Sequence, residues 1–192
     1  MFHNATSFHI MKIKLLLFIV VSFIKLQAQT QEFLTTDVLG ATYTITNQQV
    51  SKDYLGKTHT YKNILLGKIA TLDVVNPLQT LIFYKQQNSI VLLDRFLTET
   101  HLINLQNKAP DLQITYAGTA NQNQIWMFDI ISNRFVLYNI LNDSYKFLTH
   151  TIDDEITNFK SNLNYLYFKT VNDKEFEIDI YGKLKPSTST TN

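Results

Sequence analysis

The 192-residue chain contains no cysteine, five glycines, three prolines and a single tryptophan. The missing thiols exclude disulfides, a cysteine nucleophile, zinc-thiolate centres and an amino-terminal lipoprotein cysteine. Stability therefore rests on packing alone, which a domain of this length supplies by burying roughly two thirds of its unfolded surface. Charge is also scarce: Lys and Arg number 17 and Asp and Glu 16, with no basic cluster. A balance of this kind argues against nucleic acid, because cationic side chains that neutralise phosphate supply most non-specific affinity. Long apolar runs are missing too, with one short exception at the amino terminus.

That exception is Leu15 to Ile24, ten apolar residues preceded by Lys12 and Lys14 and followed by the more polar stretch from Lys25 to Thr30. Ten residues fall short of the ~20 that cross a bilayer. The charged, apolar, cleavable order is that of a secretory signal. Residues 1–29 are expected to be that signal, cut after Ala28 or Gln29, with residues 1–10 an upstream-start extension because Met11 stands directly before Lys12. Cleavage would leave 14 basic residues against 16 acidic ones. The localisation expected is export, to the periplasm, the outer membrane or the exterior. No transmembrane segment would remain after cleavage; peripheral membrane association stays open.

With so few glycines, the turns must be marked otherwise. Polar interruptions recur at Asn47-Gln-Gln, Lys85 to Asn88, Asn121 to Asn123, Asn142 to Ser144 and Val171 to Lys174. Asn and Asp tolerate left-handed backbone and cap turns with their own side chains. Between them lie short runs of Val, Ile, Tyr, Phe and Thr, the residues of strands. Twelve strands are expected, from Thr42–Thr46 to Glu175–Ile180, with no amphipathic helix. Two segments look alike: Ile90 to Asp94 (IVLLD) and Ile125 to Asp129 (IWMFD), whose aspartates lie 35 residues apart. That spacing is near the roughly 40 residues of one β-propeller blade. The fold class expected is therefore all-β, a propeller-like repeat of short antiparallel strands. Three four-stranded blades would form an incomplete or truncated ring over residues 30–185, followed by a polar, disordered tail over 186–192.

The segment from Tyr61 to Asp94, the phrase Tyr116-Ala-Gly-Thr-Ala-Asn-Gln-Asn-Gln-Ile-Trp126 and the phrase Ile180-Tyr-Gly-Lys183 resemble exported propeller-like proteins of Bacteroidota type. The resemblance carries no family active site with it.

No catalytic constellation accompanies the pattern. His59, His101 and His150 lie at least 42 residues apart, without the close pairing of a strand-borne metal site. There is no G-x-S-x-G elbow. Asp153-Asp154-Glu155 lacks the glycine-centred alternation of a calcium loop. Asp173, Glu175, Glu177 and Asp179 alternate with Phe176, Ile178 and Ile180, the mark of a half-exposed strand, expected at an outer edge. Trp126, Leu92 and Phe128 sit in apolar runs and are expected in the core. Tyr165 and Tyr167 share one strand face opposite Leu166 and Phe168, which makes them the expected interface. No cofactor and no metal are expected. The function expected is a non-enzymatic binding or scaffold module that contacts another cell-envelope protein. The alternative is a carbohydrate-active or other hydrolase using dispersed carboxylates such as Asp94 and Asp129.

Overall fold

A computed structural model describes residues 33–187. The expected signal and residues 188–192 lie outside the described residues. Sixteen strands form four antiparallel sheets of four, each sheet built from consecutive strands. Sheet one holds β1 (Phe33–Thr36), β2 (Thr42–Thr46), β3 (Gln49–Tyr54) and β4 (Lys57–Lys62). Sheet two holds β5 (Thr71–Asn76), β6 (Gln79–Tyr84), β7 (Ser89–Asp94) and β8 (Glu99–Asn104). Sheet three holds β9 (Ile114–Ala120), β10 (Gln124–Asp129), β11 (Arg134–Asn139) and β12 (Ser144–Phe147). Sheet four holds β13 (Ile156–Ser161), β14 (Tyr165–Thr170), β15 (Glu175–Asp179) and β16 (Leu184–Pro186). One helical turn, α1 (Leu105–Lys108), leads from sheet two to sheet three, and the Asn104 side chain caps it by accepting from the Asn107 N–H.

The all-β, propeller-like class is what the chain adopts, but with four sheets rather than three. The count was short because β1, β3, β13 and β16 went unread, and the polar sequences QVSKDY of β3 and ITNFKS of β13 explain why two of them did. The 35-residue echo joins inequivalent strands, since Ile90 lies on the third strand of its sheet and Ile125 on the second. The equivalent pairs are β6 with β10 and β7 with β11, whose starts at Gln79 and Gln124, and at Ser89 and Arg134, are each 45 residues apart. β15 is not an edge: β14 and β16 pair with it on either side. Pro186 closes β16, as the edge position of a proline, which has no N–H to give, allows.

Three apolar clusters join the sheets in series. The first packs Tyr43 and Val50 of sheet one against Ile82, Tyr84, Val91 and Leu93 of sheet two. The second sets Leu81, Phe83, Ile90 and Leu92 against Ile114, Ala117, Ile125 and Met127 of sheet three. The third sets Trp126, Phe128, Phe135 and Leu137 against Leu166, Phe168 and Ile178 of sheet four. None of these clusters joins sheet four to sheet one, so the described stack is open. β6 and β7 supply side chains to two clusters each, which is why their sequences run apolar without alternation.

The turns carry out what scarce glycine does not. Asn47, Asn88, Gln122, Asn123, Asn133 and Asp173 all hold positive φ, between 42° and 60°. The middle turn of each of the first three sheets also latches the next sheet. Gln48 Oε1 accepts from Ile69 N–H at 2.8 Å, Asn88 Oδ1 from Ile114 N–H at 3.2 Å, and the Asn133 carbonyl from Ile152 N–H at 2.8 Å. These latches bring the same ends of successive sheets together.

Candidate functional site

Sheet four ends the described stack, and its two faces differ. Register places Phe159, Phe168 and Phe176 abreast, with Leu166 beside Ile178 in the next row. These side chains belong to the cluster shared with sheet three. The residues between them face the other way: Lys160, Tyr167, Glu177 and Lys185 form one row across all four strands. Asn158, Lys169 and Glu175 form the row beside it, and Tyr165 and Asp179 the row on its other side. Period-two alternation thus sends the apolar half of each strand inward and the polar half out.

On this outward face the rings of Tyr165 and Tyr167 lie 6.3 Å apart at 45°. Tyr165 is 36% exposed and Tyr167 half-buried. The Lys185 ammonium sits 5.9 Å from the Tyr165 ring centre and pairs with Glu177 at 2.5 Å. That hydrogen bond, more than the surrounding charge, holds Lys185 above the ordinary lysine value. Lys169 pairs with Asp173 at 3.0 Å and lies 3.9 Å from Glu175; the hydrogen bond to Asp173 raises it likewise. A groove of about 470 Å³ runs along the face, lined by Asn158, Lys160, Tyr167, Lys169, Glu175 and Ser187 among others. Glu175 and Glu177 of β15 are therefore set against lysines around an aromatic centre. Alternation along β14 sets the two tyrosines on one face opposite the buried Leu166 and Phe168, whereas Lys160 and Lys185 come alongside only through strand register.

The remaining sequence candidates fall elsewhere. Asp94 Oδ1 accepts from the N–H groups of Phe96 and Thr98, and those bonds hold its carboxyl below the usual range. Asp129 is buried and accepts from Gln113 N–H through Oδ1 and from Ser132 N–H and Oγ through Oδ2. Both are turn formers, though on inequivalent turns. Trp126, Leu92 and Phe128 are buried, and the Trp126 indole donates to the Asn162 carbonyl at 2.9 Å. His59 lies against Phe96 with ring centres 5.3 Å apart, whereas His101 contacts Thr100. Among the described residues no group of three His, Asp or Glu is placed to hold a metal ion, and no helix is long and apolar enough to cross a membrane.

A second polar constellation joins the first strands of three sheets. Asp73 of β5 accepts from Val75 N–H and, across the sheet boundary, from Thr119 N–H of β9, both at 2.8 Å. Tyr116 of β9 donates to Ser161 Oγ of β13 at 2.9 Å. Gly118 lies between them, and a Cβ there would stand 2.8 Å from the Tyr116 hydroxyl and 3.0 Å from Asp73 Oδ2, closest of all to Ser161 Oγ. Burial raises the pKa of both Asp73 and Tyr116. The group ties strands together and leaves no volume for a ligand at the glycine.

No protein-family model matches the chain, and no curated protein matches it in sequence. Solved structures do match in fold. Virginiamycin B lyase from Staphylococcus aureus superposes with a TM-score of 0.56 at 11% identity, over 84% of this chain and 56% of its own. YCF48 bound to D1 peptide gives 0.58 at 10% identity, over 85% and 55%. HIRA(644-1017) gives 0.53 at 7% identity, over 82% and 56%. The chain thus spans a little over half the length of these propeller structures, and the likeness is one of fold.

Proposed function

We propose that the chain is an exported, non-enzymatic binding or scaffold module that contacts another cell-envelope protein through the outward face of sheet four. The observation that carries this reading is the row Lys160, Tyr167, Glu177, Lys185 with Tyr165 beside it. Tyrosines at the centre of a contact give large area with few rotors to order, and flanking charges of both signs set register and reject wrong partners. The near balance of charge favours a protein over nucleic acid. A peptide-bound propeller among the structures of like fold supports the reading by example. Export rests on the order of charge and hydrophobicity in residues 1–29.

The test is affinity capture by the tagged chain from its native envelope, with wild type compared against Tyr165→Ala/Tyr167→Ala. The double variant should keep the wild-type melting temperature and lose at least about 90% of the captured partner, a loss of more than ~1.4 kcal/mol in binding. Undiminished capture by the double variant would remove this face from the function. Amino-terminal sequencing of the native protein should find residue 29 or 30 first.

A further inference from the structure

Every sheet has three turns, and because its strands alternate in direction the first and third turns emerge at the same end. At that end an Asp or Asn repeatedly accepts the N–H of the second residue after it and holds a large apolar side chain outward. Asp37 does so for Leu39, Asn76 for Leu78, Asp94 for Phe96, Asn139 for Leu141 and Asp179 for Tyr181, all at 2.8–3.0 Å. These side chains are exposed by 55%, 63%, 48%, 76% and 83% respectively. In sheet one the third turn is Leu55-Gly56, with φ of 50° and 73°. Leu55 is 83% exposed. Asn is the residue usual before glycine in such a turn, since a leucine is strained at positive φ. A strained, exposed leucine gives folding nothing. Its presence, and the recurrence of an apolar tip on all four third turns, points to a surface used in association.

We propose that this end of the stack is a self-association face, and that its occupant is the same face of a second copy of the chain. Two features select that occupant. The first is charge: Arg95 and Lys183 alternate on these turns with Asp94 and Asp179. A surface of balanced sign is complementary to itself about a two-fold axis, as an isologous interface requires, and offers no net attraction to an anionic lipid surface or to nucleic acid. The second is size. At roughly 170 Å² for a large side chain, within the range for aromatics, six tips exposed to this degree present on the order of 700 Å². That approaches the ~800 Å² each partner contributes to a standard interface. The face adjoins the outward face of sheet four at Asp179, but none of the side chains replaced to test one face is replaced to test the other, so the failure of either reading is distinguishable.

Sedimentation velocity of the full chain from about 1 to 100 µM should show a monomer–dimer equilibrium. Leu55→Glu/Phe96→Glu/Tyr181→Glu should weaken it at least tenfold. Leu55→Glu alone, at a side chain with nothing to support, should shift it in the same direction if the triple variant does not fold. Ile64→Glu/Leu65→Glu/Ile131→Glu, at exposed positions on the other end of the sheets, should leave it unchanged. A monomer throughout the range, or a dimer that Leu55→Glu and the triple variant leave intact, overturns the proposal. So does co-sedimentation of the monomer with phosphatidylcholine vesicles that the variants abolish, which would make the occupant a lipid surface.

Discussion

Replacing Gly118 with alanine tests whether the first strands of sheets two, three and four are as tightly tied as their geometry states. The new methyl would meet Ser161 Oγ, Tyr116 Oη and Asp73 Oδ2 at once, and all three belong to polar links that cross these sheet boundaries. Overpacking of a filled site costs about 1–3 kcal/mol. Displacing the Tyr116–Ser161 bond adds about 0.5–1.5 kcal/mol. Alanine returns ~0.5–1 kcal/mol because glycine is entropically poor in a strand. The net destabilisation is about 1–3 kcal/mol, which for a domain of this size lowers Tm by roughly 3–10 °C. Thermal and urea unfolding should be measured on Gly118→Ala, Ser161→Ala and the double variant. Removing Ser161 Oγ takes away the nearest obstacle, so the double variant should be more stable than the sum of the single effects by at least about 0.5 kcal/mol. An alanine variant as stable as wild type, with additive behaviour in the double, would refute the argument.

Other outcomes follow from the same structure. Asp94→Asn should be almost neutral, because one oxygen accepts both backbone bonds and Asn retains it; Asp129→Asn should cost about 1–3 kcal/mol, since both carboxylate oxygens accept backbone N–H groups and an amide has a single acceptor oxygen, leaving its NH₂ facing a donor. A large loss of function in Asp94→Asn at unchanged stability would instead favour hydrolytic chemistry. Trp126→Ala should destabilise by about 3–5 kcal/mol, read from chemical denaturation, and a smaller effect would mean that the interface of sheets three and four collapses around the gap. Asp73 has a folded pKa above its ordinary value, so its contribution is greatest below that ordinary value and is lost as pH rises through the folded one. Asp94 and Asp143 are shifted down and act oppositely, losing their contribution as pH falls through their folded values. Comparing wild type with Asp73→Asn across pH 3–8 should isolate the first component: stability should fall less steeply with rising pH in the variant.

The turns were legible because Asn, Asp and Gln announce left-handed backbone by chemistry, and each marked interruption became a turn between paired strands. The central strands were legible because β6, β7, β10 and β11 are covered on both faces. What misled was the aspartate ending both β7 and β10. In one it caps the third turn of a sheet, in the other it anchors the second, so identical letters marked different places and shortened the apparent period. Polar strands such as β13 draw their shape from neighbours, and alternation with three exposed side chains in six reads as loop in isolation. At the candidate face the tyrosines followed from alternation along β14 alone. Their lysine neighbours lie on strands 7 and 18 residues away along the chain, and their alignment is a matter of register, which no single strand encodes.

The serial arrangement of the apolar clusters has a kinetic consequence. Among the described residues each apolar cluster joins a sheet only to the one before or after it, and the outward face of sheet four carries hydroxyls and charges in place of the internal apolar surfaces. Such a stack behaves as a one-dimensional chain of nearest-neighbour couplings. Separating a terminal sheet breaks one interface, whereas separating an internal one breaks two. Amide hydrogens of β2, β3, β14 and β15 should therefore exchange through partial opening from either end, and those of β6, β7, β10 and β11, flanked on both sides, only when the pair they form comes apart last.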